Sequence, residues 1–189
     1  MNFDTLLDKA IRKVPDFPHE GILFYDITGI LGSPEAFRHV NQSLAKLYAG
    51  KGLAGIAVVE SRGFVFGAPL AHSLGVPLIL VRKKGKLPGK TLQKAYALEY
   101  GEAVIEVQPH DVPVGGKILV VDDLLATGGT LKAAAELLEA AGGIVTDLFC
   151  VVGLPFLHPE RVLGNRKVQT LIDYAGESPE PANSPVIGP

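Results

Sequence analysis

Asp122 and Asp123 stand side by side at the end of the apolar run Ile118–Val121, and Thr127, Gly128, Gly129 and Thr130 follow within a few residues. Adjacent carboxylates can hold sugar hydroxyls or a hydrated cation, whereas threonine hydroxyls and main-chain N–H groups hold an anion without adding charge. Leu131, Ala134, Ala135, Leu138 and Ala141 then recur at helical spacing until Gly142–Gly143. The unit therefore reads strand, acidic edge, glycine-bearing turn, helix. A helix that opens on such a turn adds its unpaired donors and the positive end of its dipole. That chemistry suits a phosphorylated sugar, with phosphate at Ala126–Thr130 and hydroxyls at the acids. The other reading is an ordinary strand-to-helix turn whose acids face water.

Two further stretches carry charge in a pattern that could serve the same ligand. Glu60–Ser61–Arg62–Gly63 follows the strand-like run Ile56–Val59, and a guanidinium at a strand's end can grip a diphosphate bidentately. Arg62 could instead be a surface residue paired with Glu60. Arg82, Lys83, Lys84, Lys86 and Lys90 crowd a Gly- and Pro-broken segment, which reads as a flexible basic arm that repels itself unless polyanion or solvent meets it. Gln93–Leu98 and Ala103–Val107 beyond it read as a hairpin, so the arm and hairpin form a lid able to exclude water. Two look-alike motifs fail on context. Gly50–Gly55 matches G-x-G-x-x-G but ends a helix rather than following a strand, and Pro88–Thr91 has Lys84 where a nucleotide-binding P-loop needs glycine.

These residues need a scaffold, and composition supplies one. The chain has 189 residues, 47% hydrophobic and 20% charged, enough for one domain with its own core. Its net charge of −2 gives no electrostatic footprint for nucleic acid, and no apolar run is long enough to span a bilayer. The single cysteine, Cys150, lies in an apolar run and reads as a small buried hydrophobe; with no signal-peptide pattern either, a cytoplasmic location is expected. Residues 3–14 put Leu6, Leu7, Ala10, Ile11 and Val14 on one face of a helix closed by Pro15, and Ser33–Pro34 starts another striped by Phe37, Val40, Leu44, Leu47 and Tyr48. Strand candidates at Ile56–Val59, Val76–Val81, Ile118–Val121, Val145–Val152 and Val168–Ile172 alternate with helices, which predicts an α/β fold with a doubly wound, mainly parallel sheet. Residues 175–189 are rich in proline and polar residues and read as a disordered tail.

The stretch VVDDLLATGGT resembles the phosphoribosyl-pyrophosphate (PRPP) motif of the type I phosphoribosyltransferases. With PHEGILFYDIT, ESRGFVFGAPLA, VRKKGKLPGKT and YALEYG, it is similar to the members of that family that act on adenine. The resemblance runs from about Phe17 to Ile172. It implies a five-stranded, mainly parallel sheet in one domain over residues 1–174, with a small N-terminal hood over 1–32 and a flexible hairpin lid over 82–108. It implies adenine and PRPP as substrates, AMP and pyrophosphate as products, Mg²⁺ carried by PRPP without a direct protein ligand, and a homodimer.

By the same resemblance, Ala126, Thr127, Gly128, Gly129 and Thr130 take the 5′-phosphate and Asp122 and Asp123 the ribose. Ser61, Arg62, Arg82, Lys83 and Lys86 take the pyrophosphate, and Glu99 and Tyr100 are the catalytic lid residues. Leu23, Phe24, Tyr25 and Leu124 surround the base. Many members carry arginine where this chain has Tyr25, which leaves the side-chain contact from that position open. The alternatives are a phosphoribosyltransferase for xanthine or hypoxanthine and a PRPP-sensing regulator.

Overall fold

The computed structural model describes residues 2, 4–97 and 101–176. Among these, a seven-stranded sheet runs in the order β5-β6-β4-β3-β7-β8-β9. Its parallel part comprises β3 (Gly55–Val59), β4 (Leu78–Lys83), β7 (Lys117–Leu125), β8 (Ile144–Gly153) and β9 (Val168–Asp173). These are the five strands expected. The hairpin of β5 (Leu92–Ala97) and β6 (Glu102–Val107) adds two antiparallel strands, joined to β4 through Arg82 opposite Glu106 and Lys83 opposite Ile105.

Continuous apolar runs are what a sheet covered on both faces requires, and alternate residues here serve opposite cores. Ile56, Val58, Leu119, Val121, Phe149 and Val151 pack with α3 (Pro34–Tyr48) and α4 (Gly63–Leu74). Ala57, Val59, Ile118, Val120, Leu148 and Cys150 pack with α5 (Gly129–Ala140) on the other side. The Ser33 hydroxyl caps α3 by accepting from the Ala36 N–H at 3.2 Å. Leu47, expected in the buried stripe of α3, is 38% exposed, and Ala36 fills the stripe instead.

The N-terminal reading is corrected. The helix expected over residues 3–14 stops early: α1 spans Thr5–Ala10, Ile11 is extended, and β1 (Arg12–Pro15) pairs antiparallel with β2 (Leu23–Asp26). Helical periodicity is a local signal, whereas the strand depends on a partner further along the chain. Arg12 lies opposite Asp26 and bonds its carboxylate from Nε and Nη2 at 2.9 and 2.7 Å. The short helix α2 (Thr28–Gly32) follows β2 and lies against α1 and α3. Among the described residues, no helix is long and apolar enough to cross a membrane.

A buried carboxylate organises the basic arm. Glu106, 1% exposed, accepts from the N–H groups of Lys86 and Leu87, both at 2.8 Å, and from the Thr91 hydroxyl at 3.1 Å. Burial alone would raise its carboxyl, but these donors, the Leu87 N–H foremost, hold it below the usual range. Its ionised state, and the turn it anchors, are therefore built into the hairpin base.

Helix α4 lies unusually close to β3. A Cβ at Gly67 would stand 2.1 Å from Val58 Cγ1, and Val58 is fully buried. Gly67→Val is accordingly expected to destabilise the fold by about 1–3 kcal/mol through overpacking. The check is a urea titration, in which the midpoint falls while the slope stays that of the parent chain.

Candidate active site

The sheet order reverses at β3: the chain leaves β3 through α4 to β4 on one side, and β7 returns to the other side of β3. At such a switch point the loops after neighbouring strands part toward opposite faces and leave a crevice. The loop after β3 brings Glu60, Ser61 and Arg62; the end of β7 brings Asp122, Asp123 and Leu124. Together with Lys83, Tyr96 and Thr130 they line a cleft of about 360 Å³.

The two acids do not follow β7, as expected, but belong to it. Pairing with β3 stops at Val121, while pairing with β8 continues through Asp122 opposite Cys150 to Leu125 opposite Gly153. One edge of β7 is thus open to the cleft while the other holds the acids rigidly. Asp122 is 9% and Asp123 5% exposed, and the Asp123 N–H donates to Asp122 Oδ1 at 2.9 Å. Helix α4 closes the floor: a Cβ at Gly63 would lie 2.7 Å from the Val121 carbonyl oxygen, so only glycine allows this approach.

Charge in the cleft is unevenly shared. Arg62 Nε donates to Asp123 Oδ2 at 2.5 Å, so the alternative of a surface pairing with Glu60 does not hold. Glu60 bonds Arg82 Nη2 at 3.1 Å and the Lys83 N–H at 2.9 Å instead. Burial would raise the Glu60 carboxyl, but the Lys83 N–H and the Arg82 guanidinium hold it below the usual range. For Asp122 the balance goes the other way. Burial first, then the charge of Asp123, pushes its carboxyl well above the usual range. Cys150, directly opposite, has its thiol pushed up by the same burial and is the inert core residue expected.

The turn after β7 has the expected form. Gly128 adopts φ +84° against Leu163, and α5 begins at Gly129. Thr130 faces the cleft and its hydroxyl lies 3.3 Å from that of Tyr96, whereas Thr127 and Gly129 face an adjoining cavity beneath β5. Ala126 is half-buried.

Other expected residues stand apart. The Arg82 guanidinium is spent on Glu60 and the Lys86 carbonyl, and the Lys86 side chain is exposed outside the cleft lining. Leu23 and Phe24 sit half-buried on β2, with the Phe24 ring 5.0 Å from that of Phe17. Tyr25 turns into the core, 2% exposed. Glu99 and Tyr100 lie outside the described residues.

Tyr96 and Glu60 were missed. Tyr96 could have been found from the hairpin's alternation, since it shares its face with Lys94, which bonds Glu136 of α5 at 2.6 Å. Asp26 was missed as well. The Thr28 hydroxyl, with the Thr28 N–H and Arg12, brings its carboxyl down to about 2 and keeps a negative charge near Arg62.

Comparison with known proteins fits this geometry. Residues 27–161 match the phosphoribosyl transferase domain family. An adenine phosphoribosyltransferase of Treponema denticola is 53% identical over 174 residues, 92% of each chain. The chain belongs to the adenine phosphoribosyltransferase family. Among solved structures, the Thermoanaerobacter pseudethanolicus enzyme of that name aligns with a TM-score of 0.85 at 45% identity, over 90% of this chain and 100% of that one. The Saccharomyces cerevisiae enzyme, solved with an imino-altritol bisphosphate and adenine, aligns at 0.82 and 38% identity over 88% and 96%. The alternating strands and helices, the mainly parallel sheet and the doubly wound order are therefore those of the type I phosphoribosyltransferase fold.

The raised Asp122 carboxyl generates a pH prediction. An aspartate whose folded pKa lies above its unfolded one keeps a proton that unfolding releases. The stability it contributes is full below the unfolded pKa and lost as pH rises through the folded one. Wild-type unfolding free energy should therefore lose this contribution as pH rises above the ordinary carboxylate range. Asp122→Asn should remove that loss and be the more stable chain at neutral pH, as urea titrations across this range would show.

Proposed function

We propose that this cleft joins adenine to C1 of PRPP, forming AMP and releasing pyrophosphate, a reaction of purine salvage. One observation carries the reading: a buried acid pair and a helix-opening turn flank one side of the switch point, and a guanidinium flanks the other. PRPP has the matching order, with a phosphate at one end, ribose hydroxyls between, and a diphosphate at the other end. The relatives named for adenine support the base, and neither they nor the net charge of −2 favours a 6-oxopurine enzyme or a nucleic-acid-binding regulator.

In this reading Ala126–Thr130 hold the 5′-phosphate through main-chain N–H groups, the threonine hydroxyls and the start of α5. Asp122 and Asp123 take the ribose hydroxyls. Arg62, Ser61 and Lys83 take the diphosphate, with Arg82 and Lys86 shaping the basic turn beside it. Substrate then exchanges the Arg62–Asp123 contact for two better-placed ones, hydroxyls on the carboxylate and phosphate oxygens on the guanidinium. As the C1–oxygen bond breaks, its electron pair leaves with pyrophosphate and positive charge builds on the ring, as in glycoside chemistry. The adenine nitrogen then bonds C1 and gives up its proton, with Glu99 assisting that transfer and Tyr100 closing over the site.

The catalytic contribution is mainly positioning and charge stabilisation. Among the described residues no three metal-ligating side chains cluster, while Asp122 and Asp123 are oxygen acceptors of the kind that the waters of a substrate-borne Mg²⁺ can donate to. Mg²⁺ bound with PRPP would supply charge neutralisation for the departing pyrophosphate. The base lies against Phe24 and Leu124 and is read by the Leu23 backbone, because the Tyr25 side chain is committed to the core. The proposal includes one catalytic unit over residues 1–174, with hood 1–32 and lid 82–108, acting in the cytoplasm as a homodimer.

Incubation with PRPP, Mg²⁺ and each purine base in turn tests the assignment. AMP from adenine is the expected product, and faster nucleotide formation from hypoxanthine or xanthine would overturn the base assignment. Asp123→Ala should lower kcat/KM for PRPP about ten- to a hundredfold, the scale of one lost charged hydrogen bond. Glu99→Ala should lower kcat about a hundredfold or more, as loss of a proton-transfer group does.

A further inference from the structure

Strand β2 belongs to a two-stranded ribbon with β1 and, among the described residues, has no strand partner in the main sheet. Backbone pairing therefore fixes β2 relative to β1 but not relative to the end of β7, where Leu124 stands. Side chains must do that. Successive residues of β2 point to opposite faces, so Tyr25 leaves the ribbon on the side away from Phe24.

The Tyr25 ring lies on the Tyr174 ring, centroids 4.0 Å apart and planes 17° from parallel, with Tyr174 fully buried. The Tyr25 hydroxyl donates to the Gly176 carbonyl at 2.8 Å. Tyr174 is itself held from three directions. Its hydroxyl donates to Asp8 Oδ1 of α1 at 2.9 Å, and its N–H donates to the Gly153 carbonyl at the end of β8 at 3.0 Å. Lys13 of β1 bonds that same Asp8 oxygen at 2.6 Å with its ammonium 5.5 Å from the Tyr174 ring centroid. One step back, Asp173 and Asn2 exchange two hydrogen bonds of 2.7 Å.

We infer that Tyr174, acting through Tyr25, is a positioning residue for the base: the stacked pair fixes β2 against the ends of β8 and β9 and so sets where the Leu23 backbone and the Phe24 ring stand relative to Leu124. The inference rests on the base pocket given under Proposed function. It gives Tyr25 a use that a residue reaching into the cleft could not have. It also separates the two substrates, since Tyr25 and Tyr174 lie outside the cleft lined by Arg62, Asp123 and Thr130.

Steady-state kinetics with each substrate varied in turn test this. Tyr174→Leu, which removes the stack, should raise KM for adenine about tenfold while KM for PRPP stays within about twofold, an aromatic pair being worth up to about that factor. Tyr174→Phe, which keeps the ring, should restore adenine KM to within about threefold of wild type, since only a hydrogen bond is lost. An unmoved adenine KM in a folded Tyr174→Leu chain, or equal rises for both substrates, would overturn the inference. If Tyr174→Leu does not fold, Tyr25→Leu decides, because it removes the same stack from the β2 side: a selective rise in adenine KM supports the inference and an unchanged one overturns it. A wild-type chain that makes AMP but shows these negative results sinks the positioning role alone. A wild-type chain inert towards adenine removes the functional reading and the inference together.

Discussion

Two carboxylates buried side by side, with one guanidinium between them and solvent, are the constraint around which this molecule is built. Asp122 and Asp123 sit in a strand hydrogen-bonded to β8, on a floor where α4 approaches too closely for any residue but glycine at position 63. Such a pair is costly to bury and gains nothing for packing. The fold nevertheless places it at the one point where the sheet order reverses and loops part to admit a ligand. Arg62 supplies a countercharge to Asp123, and its side chain is half-exposed while that of Asp123 is 7% exposed. The pair is therefore open to exchange from the cleft side only.

The basic side of the cleft follows a similar logic. Cations that crowd a Gly- and Pro-broken turn repel one another, and here two glutamates gather them, Glu106 buried and Glu60 half-buried. Glu106 anchors the turn through its main-chain N–H groups, and Glu60 takes Arg82 and the Lys83 N–H. What remains for a polyanion is a smaller, fixed set in which Lys83 and Arg62 face the cleft together. On the proposed reading, a diphosphate meets only the cations whose side chains face the cleft, not every cation the sequence contains.

Much of this was legible in the chain itself. The strand, acids, turn and helix of residues 118–141 are local in sequence, and their chemistry could be read from residue types and spacing. Continuous β-branched runs likewise announced a sheet buried on both faces. What escaped was set by partners distant in sequence. Arg12–Pro15 looks helical until Leu23–Asp26 is beside it, and the extension of β7 through both acids is specified by β8 rather than by Ile118–Leu125. Tyr96 was overlooked: the hairpin's alternation puts it on one face with Lys94, but nothing local to it names the helix that face covers. Tyr25 read as a departure from the family pattern, and only the fold shows its ring stacked on Tyr174, nearly the whole chain away.

The most direct measurement is a crystal structure of the chain with PRPP and Mg²⁺. The account predicts the 5′-phosphate in the turn of residues 126–130, ribose hydroxyls on Asp122 and Asp123, and Arg62 released from Asp123 onto the diphosphate. An empty turn with the acid–guanidinium contact intact and PRPP bound elsewhere, or not at all, would contradict it.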